Sequence, residues 1–133
     1  MQVHADDQDT IDYREHIMKT MGDQVNAIQM IVQHKLPADD EANFVNHVKI
    51  LAMSAATAKA AFTPKVAGGE AKANVWTAWA DFSKRLDTLA ADTAALEKTA
   101  ETDGVAGVAT KLQAALTCKG CHDQYRQEKN SKK

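Results

Sequence analysis

Along the first quarter of the chain Ile11, Met18, Met21, Val25, Ile28 and Val32 recur at steps of seven, three, four, three and four. That repeat traces one face of an α-helix and predicts a helix from about Asp9 to Gln33, ended by Pro37. Phe44, Val48, Leu51, Ala55, Ala58 and Phe62 keep the three-four alternation and predict a second helix that stops at Pro64, with Gly68-Gly69 marking a loop. Asn74 is a candidate N-cap for a third helix whose inward face is Val75, Trp79, Phe82, Leu86, Leu89, Thr93 and Leu96. A fourth begins after Asp103-Gly104, continues the apolar stripe through Val105, Val108, Leu112 and Ala115, and runs toward Lys129. Runs of β-branched residues are absent, and both prolines fall between the periodic segments.

Four amphipathic segments of roughly 20 to 25 residues would each be about 30 to 37 Å long at 1.5 Å per residue. Short connections make neighbours antiparallel, and three-four seams favour crossing angles of about 20°. The expected fold is all-α, an antiparallel up-down-up-down four-helix bundle with a cofactor between facing helices and its attachment point on the C-terminal helix. The alanine-rich stretch Ala52 to Ala61 would let two helices approach closely.

Composition acts mainly by exclusion. At 133 residues the chain, 1–133, is read as one domain with one core. Val3-His4-Ala5 has the small-x-small spacing of a cleavage site, so residues 1–6 are read as a leader remnant. Hydrophobic content of 44% with 26% charged residues is ordinary for a globular protein, and no apolar run approaches the roughly 20 residues that span a bilayer. A formal charge of −2 lacks the basic footprint of a nucleic-acid binder. Neither a membrane span nor a nucleic-acid partner is expected.

The candidate chemistry lies in Cys118-Lys119-Gly120-Cys121-His122. C-x-x-C-H is the attachment signature of a c-type haem. Each thiol adds across a vinyl group to give a thioether, and the histidine lies under the iron as proximal ligand. A thioredoxin-type dithiol would follow a strand, whereas here a helical stripe leads into the motif. A structural zinc site needs four ligands, and these are the only two cysteines. The expected cofactor is one covalent haem c. Its attachment takes place outside the bacterial cytoplasm, which implies an exported, periplasmic protein.

A haem motif on the last of four helices, together with Tyr13-Arg14 followed by Met18 and Met21-Gly22, resembles the cytochrome c′ family. Ala61-Phe62-x-Pro64 before a glycine loop, Val75-Trp76 with Phe82, and Cys118-Lys119-x-Cys121-His122-Asp123-x-Tyr125-Arg126 carry the resemblance further. It implies that Met18, four residues after Arg14, lies over the distal haem face. It also implies that Arg14 pairs with a haem propionate and that Arg126 lies on the proximal side. The low-spin branch of the family, the cytochrome c-556 type, uses a methionine there as sixth ligand, and Ile17-Met18-Lys19-Thr20-Met21-Gly22 looks like that branch. Met21 is the next candidate ligand, and His16 is turned about 200° away from Met18. Gly22, lacking a side chain one turn on, leaves room for a porphyrin.

The leading expectation is therefore a monohaem, His122/Met18-ligated electron carrier of the periplasm, not an enzyme, that exchanges electrons with periplasmic redox partner proteins. Lys119, Arg126, Lys129, Lys132 and Lys133 form a basic group that would steer an acidic partner. The resemblance implies an antiparallel homodimer through the first two helices, although the apolar stripes are already used by an intramolecular core. The alternative is a five-coordinate cytochrome c′ that binds nitric oxide or carbon monoxide, with Met18 only walling the distal pocket. His34 and His47 are expected on the surface, and Trp76, Trp79 and Phe82 in the core around the cofactor.

Overall fold

The computed structural model describes residues 6–127. In chain order the helices are α1 (Asp7–Val32), α2 (Ala38–Glu41), α3 (Phe44–Phe62), α4 (Asn74–Thr77), α5 (Trp79–Ala115) and α6 (Cys118–Tyr125). There is no strand among the described residues; the 68–72 loop makes only isolated bridges, Gly68 with Ala71 and Ala71 with Arg126.

The side chain of Asp6 accepts from the backbone N–H of Gln8 at 2.7 Å and caps α1, whose first turn carries Asp7 and Asp9 at its positive end. Asp6 thus belongs to the bundle, and the rest of the expected leader remnant, with His4, lies outside the described residues. The buried face of α1 is Arg14, Ile17, Met21, Ile28 and Ile31, while Met18, Val25 and Val32 flank it half-buried. A three-four repeat defines a broad apolar face, and packing against the neighbours decides which edge of it goes deepest.

All six expected inward residues of α3 are buried, and Ala52 and Ala61 join them, so α3 packs against both α1 and α5 along a small-residue surface. Asn74 does not cap the third helix: it opens the single turn α4, and Ala78 (φ −114°, ψ 40°) separates that turn from α5. Within α5 the expected face is nonetheless inward, with Phe82, Leu86, Thr93 and Leu96 buried and Trp79 and Leu89 half-buried. Phe82 is the aromatic centre, 5.1 Å from the Phe62 ring, 5.1 Å from Tyr125 and 5.8 Å from Trp79.

The helical ladder of α5 is interrupted at Gly104 (φ 68°, ψ −157°), a conformation open essentially to glycine alone. The chain reverses there. A groove of about 270 Å³ is lined by Asp92, Ala95, Leu96 and Thr99 from one arm and Lys111, Ala114 and Ala115 from the other, residues nearly equidistant from Gly104. The two arms are therefore antiparallel and supply the third and fourth helices of an up-down-up-down bundle.

Candidate haem site

The fourth helix is not continuous through the haem motif. It breaks at Leu116 (φ −106°, ψ 86°) and Thr117 (φ −95°, ψ 35°), and α6 restarts at Cys118 with no side-chain cap. No glycine or proline announces the break. Its effect is to put Cys118, Cys121 and His122 on a helix of eight residues with its own direction. Cys118 is exposed and Cys121 and His122 are half-buried. Both thiols are free, one helical turn apart on the same side.

Burial pushes both thiols above their ordinary range; for Cys121 the Arg85 guanidinium partly opposes this. Burial and then the positive charge of Arg126 hold the His122 imidazole below its usual range. The chain therefore presents two protonated thiols and a neutral imidazole with a free lone pair, the set required for two thioethers and one axial bond. Among the described residues the His122 ring has no hydrogen-bond partner, and no cluster of three or more His, Cys, Asp or Glu could hold a bare metal ion. The donor set fits haem.

Two groups of contacts hold α6. On the loop side Lys72 N donates to Tyr125 O at 2.9 Å, Asn74 Nδ2 to Gln124 O at 2.9 Å, and Gln127 N to Glu70 O at 2.6 Å. On the α5 side Asp81 Oδ2 accepts from the Tyr125 hydroxyl and from Arg85 Nε at 2.8 Å, and Arg85 Nη2 donates to Gln124 Oε1 at 3.0 Å. Tyr125 and then Arg85 hold the Asp81 carboxyl below the ordinary range, and burial followed by the bond to Asp81 pushes the Tyr125 phenol up. Sequence reasoning assigned no role to Asp81, Arg85 or Glu70. The four-residue spacing of Asp81 and Arg85 was a visible signal of a helical ion pair, but not of its contact with α6.

The other candidates fall as follows. Met18 is half-buried against the core on α1, with Met21 buried one turn on; His16 is exposed, and a Cβ at Gly22 would meet nothing within 4 Å. Arg126 lies at the C-cap of α6, beyond its last helical residue, and its Nε donates to Glu70 Oε1 at 2.8 Å. Lys119 pairs with Asp123 at 2.7 Å. Two charges of the expected basic group are thus neutralised locally, and Lys129, Lys132 and Lys133 lie outside the described residues. His34 is exposed, and His47 is half-buried with its Nδ1 2.7 Å from Gln24 Oε1.

Arg14, the candidate for propionate pairing, bonds backbone carbonyls at the end of α3 and just beyond it. It is 3% exposed, and Nε, Nη1 and Nη2 donate to the carbonyls of Ala61 at 2.9 Å, Val66 at 2.5 Å and Pro64 at 2.7 Å. Its guanidinium lies 5.0 Å from the centres of both the Phe62 and Trp76 rings. The last four carbonyls of α3 all find donors in this way: Lys59 and Ala60 from Thr63, Ala61 from Arg14, and Phe62 from Trp76 Nε1 at 2.7 Å. These bonds use three of the guanidinium's five N–H donors, and burial lowers its pKa.

Residues 9–126 match the family model described as cytochrome C'. The chain belongs to the cytochrome c′ family. A cytochrome c′ from Pararhodospirillum photometricum is 37% identical over 122 residues, covering 88% of this chain and 95% of the relative. Two solved structures of cytochrome c prime from Alcaligenes xylosoxidans match at 25% identity with a TM-score of 0.82, each covered over its full length. One is a ferrous arginine-to-lysine variant with bound nitric oxide, matched over 96% of this chain; the other is a leucine-to-glycine variant with bound carbon monoxide, matched over 95%.

Cytochrome c′ proteins carry a covalently attached c-type haem, and this chain has the sequence and the free thiols for it. The c-556 assignment, and with it the low-spin electron carrier ligated by His122 and Met18, is overturned: the relatives are cytochromes c′, and solved ones include complexes with nitric oxide and with carbon monoxide. The physical reason is that helical register puts a methionine on a face. Whether its sulfur reaches iron or merely lines the pocket is decided by helix separation, which register does not encode. No described helix is long and apolar enough to cross a membrane.

Proposed function

We propose that this cytochrome c′ keeps one face of its haem iron open and binds a diatomic gas there, nitric oxide or carbon monoxide. The observation that carries the reading is family membership joined to relatives solved with those two gases bound. Cys118 and Cys121 hold the haem, and His122, kept neutral by burial and by Arg126, is the proximal ligand. When bound, the haem supplies an iron that accepts one further ligand. Met18, half-buried among apolar neighbours, walls the distal side and keeps water from it. The protein acts as a binding protein, not an enzyme.

Two further expectations belong to this reading. Haem attachment through C-x-x-C-H supports a periplasmic location, where a redox partner protein would return the iron to the ferrous state. A homodimer through α1 and α3 is supported by Met30, Ile50 and Met53 on those helices, exposed at 42%, 40% and 68%.

Optical and resonance Raman spectra of the holoprotein test the reading. The expected result is a high-spin, five-coordinate iron that takes up both gases once reduced, with Met18→Ala accelerating carbon monoxide association and leaving the coordination number unchanged. A low-spin ferric spectrum with the red-edge band of sulfur ligation overturns it.

A further inference from the structure

Every residue that bonds haem lies on α6, and the break at Leu116 and Thr117 means that α6 does not inherit its direction from α5. What fixes its pose is what it leans on. Tyr125 follows Cys121 by four residues and His122 by three, so it shares their side of the helix. Its ring is buried at 2% exposure, edge-on to Phe82 at 5.1 Å, and its hydroxyl reaches Asp81 Oδ2. The same oxygen accepts from Arg85 Nε, and the Arg85 guanidinium lies 5.9 Å from the Tyr125 ring centre while bonding Gln124. Gly120 lies beside this contact: a Cβ there would stand 3.9 Å from Arg85 Nη1, an ordinary van der Waals distance. One carboxylate oxygen on α5 therefore ties together both residues at the end of α6.

We propose that Asp81 is a positioning residue for the proximal histidine: through Tyr125 and Arg85 it sets the pose of α6, and with it the approach of His122 to the iron. Supporting contacts of this kind hold metal ligands at their working geometry; the loop-side bonds to Gln124, Tyr125, Arg126 and Gln127 anchor the end of α6, and Asp81, with the Arg85 it holds, ties it to α5. The proposal rests on the gas-binding reading and deepens it, because the pose of the proximal ligand tunes what the opposite face of the iron will hold.

The test uses full-length ferrous holoprotein in five forms: unmodified, Asp81→Ala, Tyr125→Phe, the double variant, and Asp81→Asn. The iron–histidine stretching band is read by resonance Raman and the α6 amides by hydrogen exchange. Asp81→Ala and Tyr125→Phe are expected to move the band in the same direction, and the double variant no further than Asp81→Ala, in which the Tyr125 bond is already lost together with that of Arg85. In both, α6 amides exchange about tenfold faster, as loosening of the contact that holds the helix requires. Asp81→Asn retains an acceptor oxygen and keeps the unmodified band. A band unmoved in both single variants while their melting temperatures fall, or shifts that add in the double variant, overturns the proposal. Should Asp81→Ala yield no folded holoprotein, Tyr125→Phe, which removes a single oxygen, carries the same test. Failure of the gas-binding reading is separate: it shows as six-coordinate iron in the unmodified protein, and the exchange of α6 then still decides the role of Asp81.

Discussion

Arg14→Met keeps most of the buried stem and removes the guanidinium. The Ala61 carbonyl belongs to a buried residue at the end of α3, so losing its charged donor costs about 1.5–3 kcal/mol. The Pro64 and Val66 carbonyls belong to exposed and half-buried residues and can turn to water, at about 0.5–1 kcal/mol each. Loss of the cation from between the Phe62 and Trp76 rings adds about 1–2 kcal/mol. Against these stands relief of the desolvation of a buried charge, about 2–3 kcal/mol once water penetration is allowed for. The net destabilisation is about 3 kcal/mol, a fall of roughly 10 °C in melting temperature for a domain of this size. Far-ultraviolet circular dichroism of the holoprotein during guanidinium chloride and thermal unfolding reads it, with the m-value unchanged. Arg14→Lys, which keeps the charge without the three-way fork, falls between the two. Stability equal to or above that of the unmodified protein refutes the latch: the three bonds would then only offset the desolvation of the charge. Unchanged stability with a shifted haem potential would restore the propionate role.

Gly69→Ala is expected to destabilise by about 2–3 kcal/mol, from the left-handed backbone penalty and from overpacking. Its φ is +59°, and a Cβ would lie 2.7 Å from Ile11 Cγ2 and 3.1 Å from Glu15 Oε2, so a melting temperature within about 2 °C of the unmodified protein, about 0.5 kcal/mol, refutes this account. Asp81 titrates below its ordinary range because Tyr125 and then Arg85 favour its charged form. Its contribution to stability is complete above the unfolded aspartate range, about pH 4, and is lost as pH falls through the lower, folded value. Asp81→Asn should therefore flatten the acid limb of a urea-midpoint profile, and parallel limbs in the two proteins count against the Asp81–Tyr125 bond.

What could be read from the chain follows from periodicity and from local chemistry. The three-four stripes are properties of a helix by itself, so four helices, their breaks at Pro37, Pro64 and Gly104, and the bundle they form were legible before any contact was known. The haem was legible for the same reason: C-x-x-C-H brings two thiols and an imidazole together within two turns, independently of the rest of the fold. The tertiary structure decided whatever depends on residues far apart in the chain. Arg14 meets carbonyls 47 to 52 residues away and becomes a latch on the end of α3, a contact that no local pattern announced. Arg126 meets Glu70, and Asp81 meets Tyr125, across 56 and 44 residues. The break at Leu116 and Thr117, which carries no turn residue, makes α6 an independent helix that must find its supports on α5 and the 68–72 loop. Met18 shows the division most sharply. The family resemblance implied its place on the distal face, but ligand or wall is a matter of how closely that face approaches the iron, and helix separation is set by all the packed side chains between α1 and its neighbours rather than by any stretch of sequence.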